Sequence, residues 1–193
     1  MFGSGENAMR RIMIFCLLFF CFSFQNVSAH PHVFFDTQVF IQVEKKRMEG
    51  VELRFLLDEM NTLLNQKIFR PSKEGEVKDK NIVFLKYLYS HIRVFWNGKR
   101  IPKQDILFEL AVLEDEQLRI DFFVSIDKAI RPKDKLTISF YDTNYYYTYD
   151  YNKSSFHMEG LEQGKWRARF YTEKGISFYF KSVHPDIYEV IFE

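Results

Sequence analysis

Thiols are almost missing from this chain. Of its 193 residues only Cys16 and Cys21 are cysteine, and both fall in one apolar run near the start. A thiolate metal centre and a disulfide scaffold are therefore not expected of the remainder, whose stability has to come from packing. Long apolar runs are lacking as well. The stretch from Ile12 to Phe24 is shorter than the roughly 20 residues a membrane-crossing helix needs, and no later stretch approaches it. Neither sign of charge dominates. Setting aside Glu6, Arg10 and Arg11 leaves 25 acidic and 25 basic residues of the 26 and 27 present, with no basic block, which argues against nucleic acid as a partner. The chain contains no glycine-rich phosphate loop, no Gly-x-Ser-x-Gly elbow, no Cys-x-x-Cys and no His-Glu-x-x-His. What it does have is aromatic mass, 22 Phe and 11 Tyr, suited to a packed core.

The apolar run follows Arg10-Arg11 and precedes Val27-Ser28-Ala29. A basic start, a short apolar centre and small residues at −3 and −1 make a cleavable export signal over residues 1–29. Met1 to Ala8 reads as an upstream extension, because Met9-Arg10-Arg11 would open the signal equally well. Phe15 and Phe20, not small residues, precede the two cysteines, so a lipoprotein site is not expected. Cleavage after Ala29 would leave residues 30–193 as one domain, long enough for a real core, and would begin it at His30. A leading histidine offers an imidazole together with a free α-amine of pKa about 8. His32 adds a second imidazole. Pro31 between them has no amide proton, which closes the mode that deprotonates successive backbone amides.

From Val33 to Val43 apolar and polar residues alternate, the signature of a strand with one buried face. His30, His32 and Asp36 share its polar face, which is either plain solvent surface or part of a site. A second strand, Val51 to Leu57, ends at Asp58-Glu59. There the period changes: Met60, Leu63, Leu64 and Ile68 recur at helical spacing. Asp58 suits the N-cap of that helix; alternatively, Asp58 or Glu59 supplies a carboxylate to a site shared with the first strand. A polar loop, Arg70 to Glu76, leads to a second helix from Val77 to about His91. Next comes a strand ending in Trp96 and the hairpin signal Asn97-Gly98. The rest reads as strands: Leu107 to Leu113, Leu118 to Ile126, a run from Leu136 through Phe140 into the tyrosine-rich Tyr141 to Tyr151, Trp166 to Tyr171, Ile176 to Phe180, and Ile187 to Phe192. The expected fold is α+β, mainly β: an antiparallel β-sandwich-like domain with two inserted helices.

Imidazole and carboxylate without thiolate suit Zn²⁺, Ni²⁺, Co²⁺ or Cu²⁺ over Cu⁺. Three segments then carry a resemblance: His30-Pro-His-Val-Phe-Phe-Asp36, Phe55-Leu-Leu-Asp58-Glu59-Met60, and Tyr141-Asp142-Thr-Asn-Tyr145-Tyr146. In order and spacing they resemble the bacterial DUF1007 family, over His30 to about Tyr151. The resemblance implies a periplasmic component of an uncharacterised transport system, tied to nickel/cobalt-type permeases and to zinc or nickel handling. It carries over His30, His32, Asp36, Asp58, Glu59 and Asp142 as the metal-binding set, with Tyr145 beside them. One departure is Thr143, where the family usually has proline. The expectation is thus a non-enzymatic periplasmic binder of a divalent transition metal, Zn or Ni first and Co or Cu next, serving an inner-membrane permease. Two other functions fit the same residues. One is a copper enzyme with a histidine brace, completed by His91, His157 or His184. The other is a metal-free secreted interaction module.

Overall fold

The computed structural model describes residues 33–69 and 83–193. The export signal, His30, His32, the polar loop after residue 69 and the first part of the second expected helix lie outside the described residues. Among the described residues, eleven strands and two α-helices follow one another. They are β1 (Val33–Glu44), β2 (Arg47–Leu57), α1 (Glu59–Phe69), α2 (Val83–His91), β3 (Ile92–Trp96), β4 (Lys99–Arg100), β5 (Ile106–Glu114), β6 (Gln117–Ala129), β7 (Lys135–Phe140), β8 (Tyr147–Asp150), β9 (Phe156–Glu159), β10 (Trp166–Thr172) and β11 (Asp186–Phe192). The fold is α+β and mainly β, sandwich-like, as the alternation predicts.

One sheet runs β5-β6-β2-β1-β8, with β9 also pairing β1 farther along its length; the other runs β10-β11-β7-β3-β4. The pleat of β1 decides what lies between them. Its odd residues, Val33 to Val43, are buried and most of its even ones are exposed, so the strand turns an apolar face inward, interrupted by Thr37. On that inner face Phe35 stacks on Tyr149 at 5.1 Å, and Phe55 meets Phe140 of the opposite sheet edge-on at 5.5 Å. Farther along, Phe156 lies flat against Tyr188, again across the two sheets. These aromatic contacts stand where disulfides are lacking.

The pairing is not wholly antiparallel. β8 and β9 both run parallel to β1, with Val33 opposite Tyr147 and Val39 opposite Phe156. The expected run through Tyr141–Tyr151 is broken: β7 ends at Phe140 in one sheet, the chain turns, and β8 begins at Tyr147 in the other. That crossing makes the parallel pairing possible, since the chain re-enters the first sheet beside the start of β1. The strand expected over Ile176 to Phe180 does not form. Its residues belong to the connection between the directly paired β10 and β11, and Tyr179, Phe180 and Lys181 turn through positive φ (46°, 57°, 62°) after a single bridge of Phe178 to Val183.

Helix α1 docks by a polar edge. Asn61 and Thr62 are buried, whereas Met60, Leu63 and Leu64 are exposed. The Thr62 hydroxyl donates to the Leu57 carbonyl (3.3 Å) and accepts the Leu118 amide (2.9 Å), joining the helix to β2 and β6. Helix α2 instead buries Leu85, Leu88 and His91, three residues apart on one face.

Candidate functional site

The three motifs meet at the beginning of β1, each for a different reason. Because β2 is antiparallel to β1, its end lies beside the start of β1, and the Asp58 amide donates to the Phe34 carbonyl at 3.3 Å. Because β8 is parallel to β1, their starts coincide, and the Val33 amide donates to the Tyr146 carbonyl at 3.2 Å. The turn that carries Asp142 feeds β8, which brings the third motif to the same end.

That turn is built by Asp142 itself. Its carbonyl accepts the Tyr145 amide at 3.0 Å, closing a four-residue turn with aspartate at its first position. The side chain finishes the work. Oδ1 accepts the Asn144 amide at 2.9 Å, and Oδ2 accepts the amides of Tyr146 and Tyr147 at 3.0 and 3.3 Å. Tyr145, with φ of 56°, supplies the left-handed step that swings those two amides onto one oxygen. Thr143 holds the position where a proline would preset φ, and the turn closes with threonine there.

Beneath the turn lies His91, the last residue of α2. The helix passes into β3 without a loop, so its final carbonyls need outside donors. Arg93 provides them: Nη1 donates to the carbonyls of Ser90, His91 and Tyr141 at 2.9–3.0 Å, while its guanidinium lies 3.7 Å over the Tyr141 ring. The Tyr141 amide also donates to the His91 carbonyl at 3.3 Å. This clamp fixes the imidazole. Its Nδ1 is 2.7 Å from the Tyr149 hydroxyl, and its Nε2 is 3.6 Å from Asp142 Oδ1. His91 and Asp142 are 5 % and 4 % exposed, and both line an open cleft of about 700 Å³ with Tyr87, Arg93, Tyr146 and Tyr147.

Burial pushes the His91 imidazole down to about 4; the Asp142 carboxylate opposes this, and the charges of Arg93 and Lys103 add to it. The ring is therefore neutral at neutral pH, with one nitrogen protonated and the other a lone-pair donor. Burial, then the nearby Asp142 charge, raises the Tyr149 phenol well above its ordinary value, so its hydroxyl keeps the proton. Such a hydroxyl can donate to Nδ1 or accept from it, and so serves either tautomer.

The sequence-predicted residues fare differently. Asp58 is the N-cap: Oδ1 accepts the Asn61 amide at 2.9 Å and Oδ2 the Asn61 side-chain amide at 2.7 Å. Partial burial raises its carboxyl, but those bonds outweigh it and hold the group below its ordinary value. Glu59 is exposed in the first turn of α1. Asp36 is exposed on the outer face of β1, in register with the exposed Asp150 of β8. His91 touches the rings of Tyr147 and Tyr149, on the inner side with Phe35, so Asp36 and the His91–Asp142 pair belong to opposite sides of the sheet. Among the described residues no three His, Cys, Asp or Glu converge closely enough to hold a metal ion. Two do stand together, His91 and Asp142.

A lone histidine at a helix-to-strand junction reads first as packing, and His91 is indeed packed against Tyr147 and Tyr149; what the sequence did not reveal is that Asp142 stands beside it. Of the other two histidines weighed with it, His157 stacks on Phe40 at 4.8 Å farther along β1. His184 Nδ1 lies 2.8 Å from the Ile176 carbonyl.

Fold and site together define a class: a β-rich sandwich domain whose imidazole and carboxylate chemistry gathers at one end of a sheet. Among the described residues no helix is long and apolar enough to cross a membrane. The family model described as "Protein of unknown function (DUF1007)" matches residues 15–169, and the chain belongs to that family. The match contains all three motifs and continues past Tyr151 into β10. A search of curated proteins gave no match.

Proposed function

We propose that this protein is exported to the periplasm by cleavage after Ala29, where it binds a divalent transition ion, Zn²⁺ or Ni²⁺ first, as cargo for an inner-membrane permease. The observation that carries the reading is where β1 begins. Val33 is bonded to Tyr146 at the rim of the cleft, and His30 precedes it by only three residues. An imidazole and a free α-amine at His30, with the ring of His32, are the nitrogen donors that this reading gives the ion. Imidazole, amine and carboxylate are borderline-to-hard ligands that bind these ions without the near-irreversible grip of a thiolate set, as delivery to a permease requires. Asp36, Asp58 and Glu59 lie at the same end of the sheet and supply negative charge that draws in a cation. The carboxylates of Asp58 and Asp142 already accept amide protons, which orients them, and Asp142 Oδ1, which accepts a single amide, retains a second lone pair.

The test is N-terminal sequencing of the exported protein followed by titration with Zn²⁺ and Ni²⁺. The expected product starts at His30 and binds one equivalent. His30→Ala, or a form carrying extra residues ahead of His30, weakens binding at least tenfold. Equal affinity in all three forms removes the reading.

A further inference from the structure

Between β10 and β11 the chain builds a small hairpin of its own. At its base the Glu173 amide donates to the Pro185 carbonyl at 2.9 Å. Higher up, Phe178 and Val183 exchange both backbone bonds, at 3.0 and 3.3 Å, and Ser182 returns its amide and its hydroxyl to the Tyr179 carbonyl at 3.1 and 2.6 Å. Within the tip so closed, Tyr179, Phe180 and Lys181 all take positive φ, a run that residues with side chains this large rarely adopt. What the strained backbone holds out is the Phe180 ring, 92 % exposed, where a ring of that size is usually hidden. Strain kept in place by its surroundings points to a use.

We infer that this hairpin is a membrane-docking tip: Phe180 enters the interfacial layer of an anionic lipid bilayer while Lys174 and Lys181 meet the lipid phosphates. The inference stands apart from the ion-binding reading, because no ligand of an ion takes part in it.

Three features choose lipid as the occupant. The first is shape. Phe180 stands on a projecting turn and not in a groove, so it suits a soft surface that closes around it. The second is charge. Lys174 and Lys181 are exposed on either side of the tip, whereas the Glu173 carboxylate is turned back to accept the Gly175 amide at 2.8 Å. Lysine stems are long enough to leave their ammonium groups at the phosphates while a neighbouring ring sinks below them. The third is company. Ile176 is 42 % and Tyr146 48 % exposed, and the rings of Tyr145 and Tyr179 meet at 5.1 Å. Tyrosine, apolar in its body and polar at its tip, belongs at headgroup level.

The tip is also fastened to the cleft. Phe178 stacks on Tyr141 at 5.2 Å, and Tyr179 packs on Tyr145. Both tyrosines flank Asp142 in its turn, and the next residue, Tyr146, lines the cleft. Docking the tip therefore presents at the membrane surface whatever the cleft holds.

The experiment is co-sedimentation of the exported protein, without added metal, with vesicles of phosphatidylethanolamine and phosphatidylglycerol and with vesicles of phosphatidylcholine. The expected result is binding to the anionic vesicles that weakens with salt. The partition coefficient falls about tenfold or more in Phe180→Ser, the worth of one buried phenyl ring. It falls about fivefold in each of Lys174→Gln and Lys181→Gln, the share of one cation near an anionic surface. Phe180→Trp keeps its binding, and lipids brominated on the acyl chain quench its fluorescence. All variants share every other segment with the wild type, so the differences report the tip alone, and thermal melts of Phe180→Ser and wild type should superimpose. If the wild type stays in the supernatant, or Phe180→Ser binds as tightly as the wild type, the inference is overturned. A wild-type dimer that Phe180→Ser dissociates, with no vesicle binding, overturns it too and gives the tip to a second copy of the chain. None of these outcomes touches the Zn²⁺ and Ni²⁺ titrations, which stand or fall by themselves.

Discussion

Asp142 and Asp121 are about equally hidden from solvent, at 4 % and 3 % exposure, yet their surroundings treat the carboxylate in opposite ways. Asp142, at the end of the sheet, receives three backbone amides from its own turn. Asp121, in the middle of β6, relies on side chains: Arg119 Nε lies 3.2 Å from Oδ2, and Oδ1 has no hydrogen-bond partner. Burial pushes Asp121 up to about 6, the charges of Arg119 and Arg54 pull it back, and Glu52 and Glu109 push it further. Backbone amides in a closed turn are already oriented and lose no rotamer freedom by serving a carboxylate. An arginine must be ordered to do so, and Arg119 Nε approaches one oxygen as a charge without making a hydrogen bond. A carboxylate saturated by its own turn can be held ready beside an imidazole; one that depends on a cation is a load on the fold.

Four substitutions break or sharpen that contrast. The largest effect is expected from Asp142→Ala, which leaves three amides without their acceptor and should lower stability by about 3 kcal/mol or more, read as a fall in the urea midpoint. A midpoint unchanged from wild type would mean that the turn does not depend on its aspartate.

Asp121→Asn should act the other way. A carboxyl whose folded value lies above its unfolded one gives stability that is full below pH about 3.8 and is lost as the pH rises through about 6. At pH 7.5 the buried charge is therefore a cost, on the order of 3 kcal/mol with the pull of Arg119 already counted, and the amide gives part of that back by leaving Arg119 without its partner. The variant should gain about 1 kcal/mol at pH 7.5 and nothing at pH 4, measured by denaturation at both values. Parallel stability–pH curves for the two proteins would refute this. Asp58→Ala comes next, costing about 1 kcal/mol as the loss of an N-cap does. Smallest is Asp36→Ala. Its side chain is exposed, so thermal melts of variant and wild type should superimpose, and any loss of Zn²⁺ affinity would then report ligation alone.

Much of the frame was legible before the structure. The alternation assigned the odd residues from Val33 to Val43 in β1, and the even ones from Leu118 to Ile126 in β6, to the buried face, where they lie. Asp58 reads as a cap, and Asn97-Gly98 as the hairpin that pairs Trp96 with Lys99. Asp121 lies on the polar side of β6 beside Arg119, and its burial there was not legible, since alternation reports direction and not what covers it. Met60, Leu63 and Leu64 have helical spacing but are exposed, because Thr62 docks the helix through hydrogen bonds that no hydrophobic period reveals. Tyr141 to Tyr151 looked continuous because aromatic residues favour strands on either side of a turn. The break at Asp142 is made by side-chain bonds to the backbone, and only the left-handed Tyr145 completes it. His91 gave the weakest signal of all: one histidine, no spacing partner, at a junction.

The chain's own order of residues settled what is local. Strand faces follow from a two-residue period, and caps and tight turns from bonds that reach five residues at most. Which strands become neighbours is a different matter, decided by burial among segments far apart in sequence. Only the folded chain could place the Asp142 turn between one sheet and the other, set β8 parallel to β1, and bring the end of a helix under the turn so that an imidazole and a carboxylate stand 3.6 Å apart.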